Sequence, residues 1–214
     1  MIFANRVAAA KQLALVLSEY RGKNPLVLAI PRGAVPMAKV IAEELNGEMD
    51  VVLVRKLRAP GNPEYAIGSV DESGWSYIAP QAAGAGANED YLKREIAAQL
   101  ETMKNRRAQY TPVRAPIDPA GRVVIVIDDG LATGSTMIAA LHALRAKKPA
   151  QLICAVPVAP PDTLEKIRGS ADRVVCLSAP IDFRAVGQFY MDFQQVDDDE
   201  VVATLAASSH ASPH

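Results

Sequence analysis

The sequence predicts an α/β fold built on a mostly parallel central sheet. Three observations lead there. Short continuous apolar runs, Pro25–Ile30 and Val123–Ile127 among them, have the composition of strands buried on both faces. Helix-length segments separate such runs, and strand–helix–strand order with buried strands implies parallel pairing through right-handed crossovers. Small-residue turns directly follow two of the runs, where open parallel sheets place their ligands.

Along the chain, Asn5 is a capping residue for a first helix expected to reach Tyr20, with Leu13, Val16, Leu17 and Tyr20 at helical spacing. After Pro25–Ile30 comes the turn Pro31-Arg32-Gly33-Ala34-Val35-Pro36. A helix with Pro36 in its first turn then runs to Asn46-Gly47, which reads as its stop. Asp50–Arg55 is the second expected strand. A Pro/Gly-broken turn, Arg58 to Pro63, and two short strand candidates, Tyr65–Val70 and Trp75–Ile78, follow. Gln81–Asn88 is by composition the most flexible stretch. A long helix is expected over Glu89–Tyr110, buried along Leu92, Ile96, Leu100 and Met103, with acids in its first turn and Arg106 and Arg107 near its end. The last third predicts a strand at Val123–Ile127, a helix over Ser135–Lys147, strands at Gln151–Val158 and Arg173–Leu177 around a helix near Thr163–Gly169, and a terminal helix opened by Asp197–Glu200. Residues 1–207 are expected as one domain and Ser208–His214 as a disordered tail.

The chain has 214 residues, 50% of them hydrophobic, enough to bury a core without metal or disulfide help. Lys and Arg total 23 against 24 Asp and Glu, so neither a nucleic-acid sleeve nor a polybasic membrane module is expected. No apolar segment approaches the ~20 residues of a membrane span, and a cytoplasmic protein is the expectation. Cys154 and Cys176 sit in apolar strand-like runs and read as reduced packing residues; His142 reads as structural.

The chemistry is expected at the turns after Ile30 and Ile127. The second reads Asp128-Asp129-Gly130-Leu131-Ala132-Thr133-Gly134-Ser135-Thr136. Small and hydroxylated residues before a helix offer converging N–H groups and hydroxyls to a phosphate, and the helix N-terminus adds favourable potential. Two carboxylates cannot bind that same anion. They suit sugar hydroxyls or a hydrated Mg²⁺ beside it. The plainer reading, two acids capping a helix, leaves the repulsion between adjacent carboxylates unexplained. The turn is neither a Walker A loop nor a dinucleotide motif, because the Gly-Lys-Ser/Thr and Gly-x-Gly-x-x-Gly patterns are absent there.

Val-Ile-Val-Ile-Asp128-Asp129-Gly-Leu-Ala-Thr-Gly-Ser-Thr136 resembles the phosphoribosyl-pyrophosphate (PRPP) motif of type I phosphoribosyltransferases. Ala29 to Ala38 resembles that family's pyrophosphate loop, and Val54-Arg55-Lys56-Leu57 is similar to its basic strand end. Pro60 to Glu64 and Ala185 to Tyr190 resemble a bacterial branch of the family known by sequence. The resemblance implies a three-layer α/β/α fold with a small hood, here parts of residues 1–24 and 178–207. It implies Mg²⁺-dependent displacement of pyrophosphate from C1 of PRPP by a ring nitrogen of a nucleobase, purine-like favoured. By carry-over, Asp128 and Asp129 hold the ribose hydroxyls and, with Asp192, the metal. Gly130 to Thr136 complete the PRPP site. Pro31, Arg32, Gly33, Ala34 and Lys56 meet the pyrophosphate, although Arg55 and Arg58 lie close enough to share the role of Lys56. Phe183, Val186, Phe189 and Tyr190 are candidates for the base.

The catalytic set implied is thus Asp128, Asp129, Lys56 and Arg32. Two departures stand out: Gly130, where a branched apolar residue is common, and Ala132, where a hydroxyl residue is common. A mobile catalytic segment is expected between Ser69 and Asn88. The resemblance also implies a homodimer. The competing expectation is a regulator that binds PRPP or a nucleotide without turnover; a hydrolase ranks last, since no Gly-x-Ser-x-Gly elbow is present.

Overall fold

The computed structural model describes residues 1–209. Five parallel strands form the central sheet: β1 (Leu26–Ala29), β2 (Glu48–Val51), β6 (Val123–Ile127), β7 (Gln151–Val158) and β8 (Arg173–Ser178), in the order β2-β1-β6-β7-β8. A separate antiparallel sheet holds β3 (Val54–Ala59), β4 (Asn62–Asp71) and β5 (Ser76–Ile78). The helices are α1 (Arg6–Val16), α2 (Val35–Leu45), α3 (Glu89–Tyr110), α4 (Ser135–Ala146), α5 (Pro161–Ile167) and α6 (Asp198–Ser209).

Alternate strand residues divide the core between two faces. Val27, Ala29, Ile125, Ile127, Ile153 and Ala155 pack with α1, α2 and α6. Leu26, Leu28, Val124, Val126, Leu152 and Cys154 pack with Met137, Leu141 and Leu144 of α4 and Ile167 of α5. This is the expected three-layer arrangement. Adjacent strands β1 and β6 therefore send their following helices to opposite faces, which opens a crevice beyond their carboxyl ends.

Several local expectations change. The helix from Asn5 ends its α-helical part at Val16, which is exposed, while Leu13, Leu17 and Tyr20 are buried; a 3-10 turn completes the segment. Asn5 does cap it, its Oδ1 accepting from the Ala8 amide at 2.9 Å. Asp50–Arg55 is not one strand. Its first half pairs with β1, and the chain then turns away so that Val54 starts the second sheet. A uniformly apolar run carries no mark of such a change of partner.

The stretch Gln81–Asn88 is closed by hydrogen-bonded turns, including Ala82 N to Ala79 O and Ala85 N to Gln81 O, and buries Ala82 and Ala87. The expected mobile segment, Ser69–Asn88, is pinned along much of its length. The Ser69 hydroxyl donates to the Ser135 carbonyl at 2.7 Å, Trp75 stacks on His142 with ring centroids 3.6 Å apart, and Glu72 pairs with Arg107 at 2.7 Å. At the terminus, Ser208 and Ser209 are helical rather than part of a disordered tail; residues 210–214 lie outside the described residues.

Candidate functional site

The crevice between the β1 and β6 ends is a cavity of about 610 Å³. The Ile30 amide donates to the Ile127 carbonyl at 3.0 Å, holding the two loops side by side past the strands. Of the residues expected from sequence, Pro31, Arg32, Gly33, Lys56, Asp128 to Gly134, Thr136 and Val186 line this cavity. The two signature turns thus meet at one place.

On the β6 side, the chain after Asp129 is shaped by two glycines. Gly134 has φ +76°, and a Cβ there would come within 2.9 Å of Thr163. It initiates α4, whose first turn includes Thr136 on the cavity wall. Thr163 also donates to the Ala132 carbonyl at 2.6 Å, turning that carbonyl away to α5 and leaving the loop's amide side for an anion. Thr133 and Ser135 hydroxyls lie 3.2 Å apart. Ser135 itself is buried under the second sheet and is not on the cavity wall. Gly130 has φ +157°, and a Cβ there would lie 2.6 Å from Val186. Val186 therefore fills the volume that a branched residue at position 130 would need.

The acidic pair is asymmetric. The Asp128 carboxylate accepts from the Asp129 amide at 2.9 Å, and burial together with the Asp129 charge pushes its pKa well above the usual carboxylate range. Burial also raises Asp129, opposed by Arg6. Arg6, absent from the sequence expectations, donates to Asp129 Oδ2 through Nε at 2.9 Å and Nη2 at 2.8 Å. Its Nη1 donates to the Gln194 carbonyl at 2.6 Å, and its guanidinium lies 3.9 Å over the Phe193 ring.

The opposite wall is cationic. Arg32 and Lys56 are joined there by Arg55, Arg58 and, from α3, Arg106. Burial and the nearby charges of Arg106, Arg58 and Arg32 lower the Arg55 pKa, the mark of cations gathered without enough local counter-charge. Gln99 Oε1 accepts from Arg55 Nε at 2.9 Å and fixes its direction. Asp198, at the start of α6, lies 3.6 Å from Arg32 and 3.7 Å from Arg106, and accepts from the Tyr110 hydroxyl at 2.7 Å. The Asp197–Glu200 run is thus more than a helix start.

Five other candidates sit away from the cavity wall. Ala34 is fully buried. Phe183 stacks with Phe189 at 5.2 Å, and Tyr190 packs 5.6 Å from Phe3. Phe189 and Tyr190 are buried, and residues 189–192 run beside residues 3 and 4 through Phe3 N to Phe189 O and Met191 N to Phe3 O. Tyr190 reaches the site by donating its hydroxyl to the Asp129 carbonyl at 2.6 Å and by stacking on Phe193, with ring centroids 4.9 Å apart. Phe193, with Val186, Gln195 and Val196, forms the wall on that side instead. Asp192 is exposed, bound through its amide to the Ala4 carbonyl, and does not line the cavity.

The oxygen donors of Asp128 and Asp129 suit a hard cation, but Arg6 already occupies Asp129 Oδ2 and Asp192 is elsewhere. Protein carboxylates alone do not fit a divalent ion here. No helix among the described residues is long and apolar enough to cross a membrane.

A sheet crevice with an anion cradle, an acidic pair and a cationic wall defines an α/β protein suited to a phosphorylated sugar. The chain belongs to the phosphoribosyl transferase domain family, whose model matches residues 2–194. A Mycobacterium tuberculosis protein, named as a candidate phosphoribosyl transferase and present in two strains, is 39% identical over 208 residues. That match takes in 95% of this chain and 46% of the relative, so the chain spans about half the length of the curated relatives it matches. The crystal structure of TT1426 from Thermus thermophilus is 43% identical and superposes with a TM-score of 0.81, covering 97% of this chain and 99% of that one.

Proposed function

We propose that this chain transfers the phosphoribosyl group of PRPP to a ring nitrogen of a nucleobase, purine-like favoured, releasing pyrophosphate. The observation that carries the reading is the cradle and acidic pair of β6 facing a wall of five cations across one crevice. The amides of residues 132–136 and the Thr133 and Thr136 hydroxyls suit the 5′-phosphate, and Asp128 and Asp129 suit the ribose hydroxyls. Arg32 and Lys56, joined by Arg55, Arg58 and Arg106, suit the diphosphate.

The acceptor lone pair forms the new C1–N bond, the C1–O bond electrons leave with the diphosphate, and the proton of the acceptor ring passes to the diphosphate or to water. Fixed cations aimed at that departing charge stabilise the transition state more than the ground state. Mg²⁺ belongs to this reading as the counter-ion of the substrate's diphosphate. The acceptor would lie against Val186 and Phe193, between the acidic pair and residues 193–196. A homodimeric, cytoplasmic enzyme is the corresponding proposal for its setting.

Incubation with PRPP, Mg²⁺ and a panel of free bases tests the reading. Base-dependent pyrophosphate release is expected. Tight PRPP binding with no release across a broad panel would favour a binding regulator, and no PRPP binding would remove the proposal altogether.

A further inference from the structure

We propose that Arg6 is the resident cation of the acidic pair. It keeps divalent metal off Asp129 in the free protein, so that metal enters this site only with the diphosphate substrate; the second half rests on the function proposed above. The geometry crowds Asp129 Oδ2 from two sides. Both Arg6 Nε and Nη2 already bond that oxygen, at 2.9 and 2.8 Å. From the other side Gly33 packs so closely that a Cβ there would fall 2.2 Å from Oδ2 and 3.1 Å from Arg6 Nη2. A Mg²⁺ ion with its water shell needs several ångströms of open space, which that approach removes.

Arg6 is also held from behind. It is the first residue of α1, which Asn5 caps, and its remaining contacts are the Gln194 carbonyl at 2.6 Å and the Phe193 ring. Its Asp129 contact is therefore built by two distant chain segments rather than left to a floppy surface side chain. A second cation beside Asp129 would meet the repulsion of the first at contact distance. What Arg6 leaves is a directed carboxylate: Asp129 fixed in place, with sugar hydroxyls rather than a bare ion as its fitting partners.

Manganese(II), which reports on magnesium sites through its electron paramagnetic resonance signal, tests this on the full chain. The free wild-type protein is expected to leave the aqueous Mn²⁺ signal intact. Arg6→Met is expected to bind one Mn²⁺ about tenfold more tightly or better, since it removes the competing charge. Arg6→Lys, which keeps the charge, is expected to exclude the ion as the wild type does and guards against a Met variant that fails to fold. Tight Mn²⁺ binding by free wild type, by Arg6→Lys, or its absence from folded Arg6→Met, would overturn the inference. Adding PRPP to wild type should then recruit Mn²⁺. If it does not, the proposed function fails while the free-protein arms still decide the role of Arg6.

Discussion

Replacing Gly33 with Ala perturbs one atom in a position where the outcome can be worked from distances. The backbone at Gly33 is not in the left-handed region, so Ala costs nothing conformationally. The added Cβ would stand 2.2 Å from Asp129 Oδ2, about 1 Å inside ordinary contact. An exposed carboxylate would swing aside cheaply. This one is tied by Arg6 at 2.8 and 2.9 Å, with side-chain exposures of 13% for Arg6 and 16% for Asp129, so moving it breaks two charge-assisted bonds.

Such a loss costs about 2–4 kcal/mol, partly recovered if the β1 loop retreats instead. Retreat would carry Arg32 with it. Either way, affinity for PRPP with Mg²⁺ should fall by about tenfold or more, because a ribose carboxylate or a diphosphate cation is displaced. Isothermal calorimetry and urea unfolding read the two effects. Gly61→Ala is the control: nothing lies within 4 Å of its added Cβ, but φ is +70°. It should cost about 1 kcal/mol of stability and leave ligand binding alone. Wild-type PRPP affinity in Gly33→Ala, with stability within about 0.5 kcal/mol, would refute the reasoning.

Asp198→Asn removes a carboxylate from between Arg32 and Arg106 while its Tyr110 bond can persist, so inorganic pyrophosphate should bind about threefold more tightly by calorimetry, a modest gain because Arg32 and Asp198 are over one-third exposed. Asp128→Asn should abolish PRPP binding yet stabilise the fold above the ordinary carboxylate range. Its raised pKa means the native state holds a proton the unfolded chain has released, so stability falls as pH rises from that range through the raised value; chemical denaturation at several pH values should show that fall flattened in the variant. Gly130→Val should destabilise by about 1–3 kcal/mol through its clash with Val186, and Val186→Ala in the same chain should recover much of the loss in a double-mutant cycle.

Both loops of the site could be read from sequence because each is local: a buried strand, a short turn and a helix start occupy about a dozen consecutive residues. The long helix α3 was legible for the same reason, its bounds being local signals. Arg6 carried no such signal. It is 123 positions from Asp129, and only the packing of α1 brings the two together. Arg106 is equally hidden, appearing in sequence as a cation matching the end of its own helix. The aromatic cluster failed differently. Phe183, Phe189, Tyr190 and Phe193 lie within one short irregular stretch, and without helical or strand periodicity nothing says which ring faces the ligand and which faces Phe3.

The missed residues share a cause that bears on how the site works. Two adjacent buried acids and a group of cations each oppose folding, and local sequence supplies no relief for either. Relief comes through long-range partners: Arg6 for Asp129, and Asp198 for Arg32 and Arg106. Each partner is an internal stand-in of the charge that a ligand brings, and each comes from an end of the domain, α1 or α6. The free protein thus holds its anion-binding and cation-tolerating halves apart with its own side chains. A ligand carrying both hydroxyls and phosphates must engage the two halves together, whereas a free phosphate meets Asp198 and a free metal meets Arg6. On the proposed function, selectivity for the intact sugar phosphate would follow from that pairing of opposed stand-ins rather than from any one contact.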